Sequence, residues 1–128
     1  MASIDPYKSK TKRLMKSFRY ALNGILATAK SEMNFRIHLV ASFFVIVAGV
    51  YFQLSHVEWI VLFLLIGGML SLELMNTAIE HVVDLVTEEY KPLAKLAKDA
   101  GAGAVFVFSI ISVIIGLIIF LPKIYTIQ

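Results

Sequence analysis

A chain of 128 residues with no cysteine, 59% of them hydrophobic, and a mean hydropathy of +0.80 is far more apolar than an ordinary soluble domain. The length suits a single domain over 1–128, and the lack of thiols excludes cysteine nucleophiles and thiolate metal sites. A net charge of +3 arises from 12 basic and 9 acidic residues that are unevenly spread along the chain, and no cleavable signal peptide is evident at the N-terminus.

The first element, "YKSKTKRLMKSFRYALNGILATAKSEMNFR", reads as one amphipathic helix. Leu14, Phe18, Leu22, Ile25 and Leu26 recur at helical spacing, while Lys12, Arg13, Lys16, Arg19 and Asn23 take the other sides. Residues 1–36 are therefore expected in the cytoplasm and at the inner membrane interface, with the basic face toward anionic headgroups. Adhesion and topology are the expected tasks of Lys8, Lys10 and Lys12, and no nucleic-acid partner is expected. At the end of this helix Glu32 and Arg36 stand four apart, which makes them neighbours on one helical face.

Three apolar runs follow: 38–54 ("HLVASFFVIVAGVYFQL"), 57–75 ("VEWIVLFLLIGGMLSLELM") and 102–121 ("AGAVFVFSIISVIIGLIIFL"). A helix needs about 20 residues to cross a hydrocarbon core, so all three are expected to span a bilayer, the first being slightly short. A barrel-strand alternative fails, because the runs lack period-two alternation and are about twice too long for it. The expected architecture is all-α: one surface helix and three transmembrane helices.

Lysine and arginine set the orientation. Lys8, Lys10, Lys12, Arg13, Lys16, Arg19, Lys30 and Arg36 precede the first span, Lys91, Lys95 and Lys98 lie between the second and third, and Lys123 alone follows. The positive-inside rule then predicts a multi-pass protein of a bacterial cell membrane. Its N-terminus and second loop face the cytoplasm and its C-terminus faces outward.

The second span ends in "SLELMNTAIEHVVDLV", which places Glu73, Asn76, Glu80 and Asp84 where lipid-facing leucines would be expected. At ~100° per residue these four fall within about 80° of one another, so they form a polar stripe. Carboxylates in or beside a membrane need a positive neighbour and point to function, a structural hydrogen-bond stripe being the competing reading. By the predicted topology Glu32, Glu80 and the "EEYKPLAKLAKD" loop all reach the inner interface. Carboxylates from two helices together with Lys and Arg suit Mg²⁺ and nucleotide phosphates, because that ion combines one or two carboxylates with phosphate oxygens. Phosphoryl transfer asks mainly for a positioned nucleophile, a base and charge neutralisation. No Walker loop or protein-kinase landmark is present, and Gly101 and Gly103 of "DAGAGAV" are expected to serve close helix packing.

The elements "ELMNTAIEHVVDLVTEEY" and "AKDAGAGAV", with "RLMKSFRYALNGI" and "SEMNFR" upstream, resemble the small prokaryotic diacylglycerol kinase and undecaprenol kinase family from about Arg13 to Val105. The resemblance implies a homotrimeric membrane lipid kinase with active sites assembled between protomers, and ATP and Mg²⁺ as co-substrate and cofactor. By that resemblance Glu73 is the general base, and Glu32 and Glu80 hold the metal. Arg13, Tyr20, Asn76, Glu89, Tyr90, Lys91, Lys98 and Asp99 surround the nucleotide together with those two carboxylates. The lipid alcohol is expected to meet Arg13, Asn34, Phe35, Arg36, His38 and Glu73, and the role of Asp84 stays open. Diacylglycerol-directed members tend to carry a carboxylate where this chain has His38, and the N-x-F-R-x-H run looks more like the Gram-positive undecaprenol kinases. A long isoprenoid alcohol is therefore favoured over diacylglycerol. Outside this class stand two alternatives, a small polar-pathway or helper protein and an interaction scaffold. The first is weakened by the absence of charge in spans one and three.

Overall fold

The computed structural model describes residues 6–126, with side chains from Lys10 onward; residues 1–5 of the expected surface helix, and the side chain of Lys8, lie outside the described residues. Four helices follow one another: α1 (Pro6–Ser31), α2 (Met33–Tyr51), α3 (His56–Val86) and α4 (Pro92–Thr126). The last three are long and apolar enough to cross a membrane. α4 packs most extensively on α3, and α2 packs on α3 from another side.

The expected helix from Tyr7 through Arg36 is broken. Glu32 adopts extended backbone (φ −97°, ψ 118°) and serves as N-cap of α2, so it and Arg36 are not partners within one continuous helix. Arg36 Nη1 instead donates to the carbonyl oxygens of Lys30 (2.7 Å) and Ala29 (3.4 Å). The last carbonyls of a helix have no intrahelical donor, and a guanidinium there satisfies them and suits the negative end of the helix dipole. Phe35, only 1% exposed, anchors the first turn of α2 beside this cap. Leu14, Phe18 and Leu22 of α1 are exposed together with the basic side chains between them.

α2 ends at Tyr51, three residues before the expected limit at Leu54, through a left-handed stop. Gln53 has φ 52°, its N–H donates to Val50 O (3.2 Å), and the N–H of Leu54 reaches back to Gly49 O (3.0 Å). This is the paired 6→1 and 5→2 pattern of a Schellman ending, with Leu54 buried as its apolar contact. Ser55 then opens α3 with a reciprocal capping box to Glu58. A small core of Leu54, Leu62 and Ile119, packed against Val45, Trp59, Ile66 and Phe120, closes this end of the bundle. Lys123 Nζ lies 3.0 Å from Glu58 Oε2 and ties the end of α4 to the start of α3.

At the opposite end α3 and α4 overrun their expected spans. α3 has 31 residues and α4 has 35. At about 1.5 Å per residue α3 is roughly 46 Å long, against a hydrocarbon core of about 30 Å. The surplus turns, from about Met75 in α3 and up to about Gly101 in α4, form a helical pair that carries the polar residues beyond the apolar zone. Thr87, in extended backbone, ends α3, and Pro92 begins α4, where its missing N–H costs nothing. Close approach of α3 and α4 depends on Gly68, because any Cβ there would collide with the Phe108 ring.

Candidate active site

The site is built on one face of α3, with a different neighbour at each level. Glu73 sits deepest and is 4% exposed. His38 of α2 brings Nε2 to within 3.3 Å of its Oε1. One turn further, Asn76 Nδ2 donates to Glu80 Oε1 at 2.9 Å. Its Oδ1 is buried without a hydrogen-bond partner and faces Gly101 of α4, where an added Cβ would lie only 2.5 Å away. An ionised Glu80 fixes which way this amide points, since the reverse orientation would set oxygen against oxygen. At the mouth, Asp84 pairs with Lys98 of α4 at 2.5 Å. The stripe thus meets an imidazole of α2 at its deep end and an ammonium of α4 at its mouth, where the Asp84–Lys98 pair links α3 to α4.

Beyond Asp84, a concavity of about 360 Å³ is enclosed by the end of α3, the connecting loop and the first turns of α4. It brings together five residues expected around a nucleotide: Glu89, Tyr90, Lys91, Lys98 and Asp99. Lys95, absent from that set, lines it too and bonds Asp99 one helical turn away. Its signal in the sequence was the i, i+4 spacing from Asp99. Lys91 lies 3.6 Å from Glu89. Three lysines face four carboxylates here (Asp84, Glu88, Glu89 and Asp99), so the concavity offers no surplus positive charge to a polyphosphate.

Other expected members lie elsewhere in the chain. Arg13 and Tyr20 are exposed on α1, Tyr20 to 67%, and neither lines the concavity. Asn34 is exposed, whereas Phe35 and Arg36 hold the α1–α2 junction. Phe35, expected to meet the lipid, has its side chain sealed inside the chain, where it anchors the first turn of α2. Glu32 accepts a hydrogen bond from Ser31 Oγ at 3.0 Å. Among the described residues, no three of His, Asp and Glu gather as a ready metal cluster. On the other side of His38, an apolar groove of about 410 Å³ runs between α2, α3 and α4, past Ala41, Leu65, Met69 and Val113.

Three candidate membrane helices, two of which extend into a carboxylate stripe and a polar concavity at one end of the bundle, define a helical membrane protein. The chain belongs to the prokaryotic diacylglycerol kinase family, whose profile matches residues 19–120. It is similar to the undecaprenol kinase of Bacillus subtilis, with 56% identity over 117 residues that cover 91% of this chain and 95% of that one. A diacylglycerol kinase of Synechocystis is 42% identical over 116 residues, covering 90% of this chain and 66% of the relative. The diacylglycerol kinase of Escherichia coli K12 is 31% identical over 102 residues, covering 80% and 84%. Membership of a lipid kinase family sets aside the polar-pathway and scaffold readings.

Proposed function

We propose that the protein transfers the γ-phosphoryl group of ATP to the terminal hydroxyl of undecaprenol, as a single membrane kinase domain spanning the whole chain. The observation that carries this reading is Glu73: a carboxylate 4% exposed, within the apolar part of α3, beside His38, which lines an apolar groove. A lipid alcohol lying in the bilayer presents its hydroxyl at that depth, and the similarity to the B. subtilis enzyme points to undecaprenol. Glu73 takes the hydroxyl proton while the alcohol oxygen bonds to the γ-phosphorus. The bond from that phosphorus to the bridging oxygen breaks, and ADP leaves.

Magnesium suits the oxygen donors present. Glu80 is half-buried and held by Asn76, Glu32 is the second expected carboxylate, and hard oxygen ligands are what the ion selects. When bound there, the ion supplies charge neutralisation for the phosphates. The balance of lysines and carboxylates around the concavity supports that need, since a polyphosphate arriving without a cation would meet four carboxylates. Tyr90, Lys91 and Lys98 hold the nucleotide; Glu89 orders Lys91, Asp84 orders Lys98, and Asp99 holds Lys95 beside them. The basic N-terminal segment and the α3–α4 loop face the cytoplasm, where ATP is available, and α1 lies in the inner interface.

The working unit is a homotrimer with sites shared between copies. Along α3, Glu73 stands about 16 Å from Asp84, and neither Arg13 nor Tyr20 lines the nucleotide concavity of its own chain. Both facts fit a site completed by a neighbour. Co-expression of inactive Glu73→Gln chains with inactive Glu80→Ala chains should restore part of the turnover in mixed assemblies. No recovery at any ratio would assign the whole site to one protomer.

Diacylglycerol is the second reading, favoured by the family profile and by the relatives named for it. Initial rates with radiolabelled ATP in proteoliposomes, comparing undecaprenol and diacylglycerol side by side, decide between them. The expected result is a higher kcat/KM for the isoprenoid alcohol by about tenfold or more, the discrimination a few apolar contacts supply. A preference for diacylglycerol would reverse the assignment.

A further inference from the structure

Glu73 is nearly sealed from solvent, and an ionised carboxylate in that position is costly unless a donor faces it. The backbone N–H groups around it are engaged in α3. Among the described residues, the ion-pair partner that reaches it is His38, with Nε2 3.3 Å from Oε1. His38 comes from a firmly held part of α2. Phe35, one turn earlier, is 1% exposed, and Arg36 binds the last carbonyls of α1. Its own carbonyl accepts a hydrogen bond from Ser42 Oγ at 2.7 Å. The imidazole is 27% exposed and lines the inner end of the apolar groove, so it stands between Glu73 and the place where a lipid alcohol would lie.

We propose that His38 is a positioning residue for Glu73. It holds the Oε1 side of the carboxylate and leaves Oε2 free for the lipid hydroxyl. The inference rests on the reading of Glu73 as base. In the transfer step the hydroxyl proton passes to Oε2, the alcohol oxygen bonds to the γ-phosphorus of the nucleoside triphosphate, and the diphosphate departs with the bridging oxygen. The imidazole begins and ends the step with the same protons. Its contribution is to keep one carboxylate oxygen aimed and the buried charge compensated.

The test uses the full-length protein in proteoliposomes with undecaprenol and ATP, comparing His38→Leu, His38→Gln, Glu73→Gln and the double variant His38→Leu/Glu73→Gln. Leucine fills the space without a donor, whereas glutamine keeps an N–H that can cross the gap. His38→Leu is expected to lower kcat roughly tenfold to hundredfold, the cost of leaving a buried charged group unpaired, with KM for ATP unchanged. His38→Gln should recover most of that loss, and His38→Leu should add little in the Glu73→Gln background, because the two residues act through one group. Melting curves verify folding; His38→Ala carries the same expectation and replaces the leucine variant if that one fails to fold. Wild-type kcat in His38→Leu, a better rate for leucine than for glutamine, or independent multiplication of the two losses overturns the proposal. If Glu73→Gln itself turns over like wild type, the base assignment falls as well. A crippled Glu73→Gln beside an unaffected His38→Leu removes the role of His38 alone.

Discussion

Replacing Glu73 by glutamine is expected to lower kcat by about 10²- to 10⁴-fold, the range associated with losing a positioned general base. The substitution keeps size and shape, so it opens no cavity and leaves the packing of α3 on its neighbours intact. What disappears is the ability to accept a proton, which an amide oxygen lacks at neutral pH. Stability should hold or improve, because a carboxylate that is 4% exposed is being replaced by a neutral group. Nucleotide affinity should stay near wild type. Glu80 lies about 10 Å further along α3, two turns away, and its bond to Asn76 does not involve Glu73. Initial rates in bilayers, set beside binding of a fluorescent ATP analogue to the same preparation, separate these effects. Undiminished turnover by Glu73→Gln would remove the base from the mechanism.

The second large effect is expected at Gly101, and its value lies in the contrast with Gly103. A Cβ at Gly101 would stand 2.5 Å from Asn76 Oδ1, closer than any side chain tolerates, whereas a Cβ at Gly103 meets nothing within 4 Å. In Gly101→Ala the Asn76 carboxamide must therefore swing away, which breaks its 2.9 Å bond to Glu80. Losing a hydrogen bond to a charged group costs about 1.5–3 kcal/mol, and the helix-propensity gain from removing glycine returns only about 0.5–1 kcal/mol. Gly101→Ala should be destabilised overall. The displaced Glu80 should also raise KM for Mg-ATP roughly tenfold, the equivalent of about 1.4 kcal/mol. Gly103→Ala should gain a fraction of a kcal/mol to about 1 kcal/mol and keep its activity. Thermal melting in detergent and steady-state kinetics on both variants check this pair of expectations. Identical behaviour of the two alanines would show that the Asn76–Gly101 contact carries no function.

Much of this architecture is legible in the chain itself. The three apolar runs predict three crossing helices because hydrocarbon thickness dictates helix length, and a run of valine, isoleucine and phenylalanine without alternation has no other solution in lipid. The period of 73, 76, 80 and 84 likewise places four polar groups on one helical face whatever surrounds them. The "EEYKPLAKLAKD" segment announces its polar character by composition, and Pro92 marks where a helix can restart.

The break at Glu32 was hidden, because "SEMNFR" contains no glycine or proline. The chain turns there when Phe35 buries itself and Arg36 caps carbonyls of the preceding helix, and local propensity records neither event. The helical stripe from Glu73 to Asp84 already implies that α3 continues past Met75, but hydropathy does not say what supports those polar turns, which is α4. The partner of each polar group was likewise a matter for tertiary structure. Periodicity states which face a side chain occupies, but the neighbour on that face comes from a helix tens of residues away. Packing of α2 and α4 against α3 assigned His38 to Glu73, Gly101 to Asn76 and Lys98 to Asp84. Gly101 and Gly103, alike on paper, differ for the same reason: only one of them faces α3 where a buried amide needs the room.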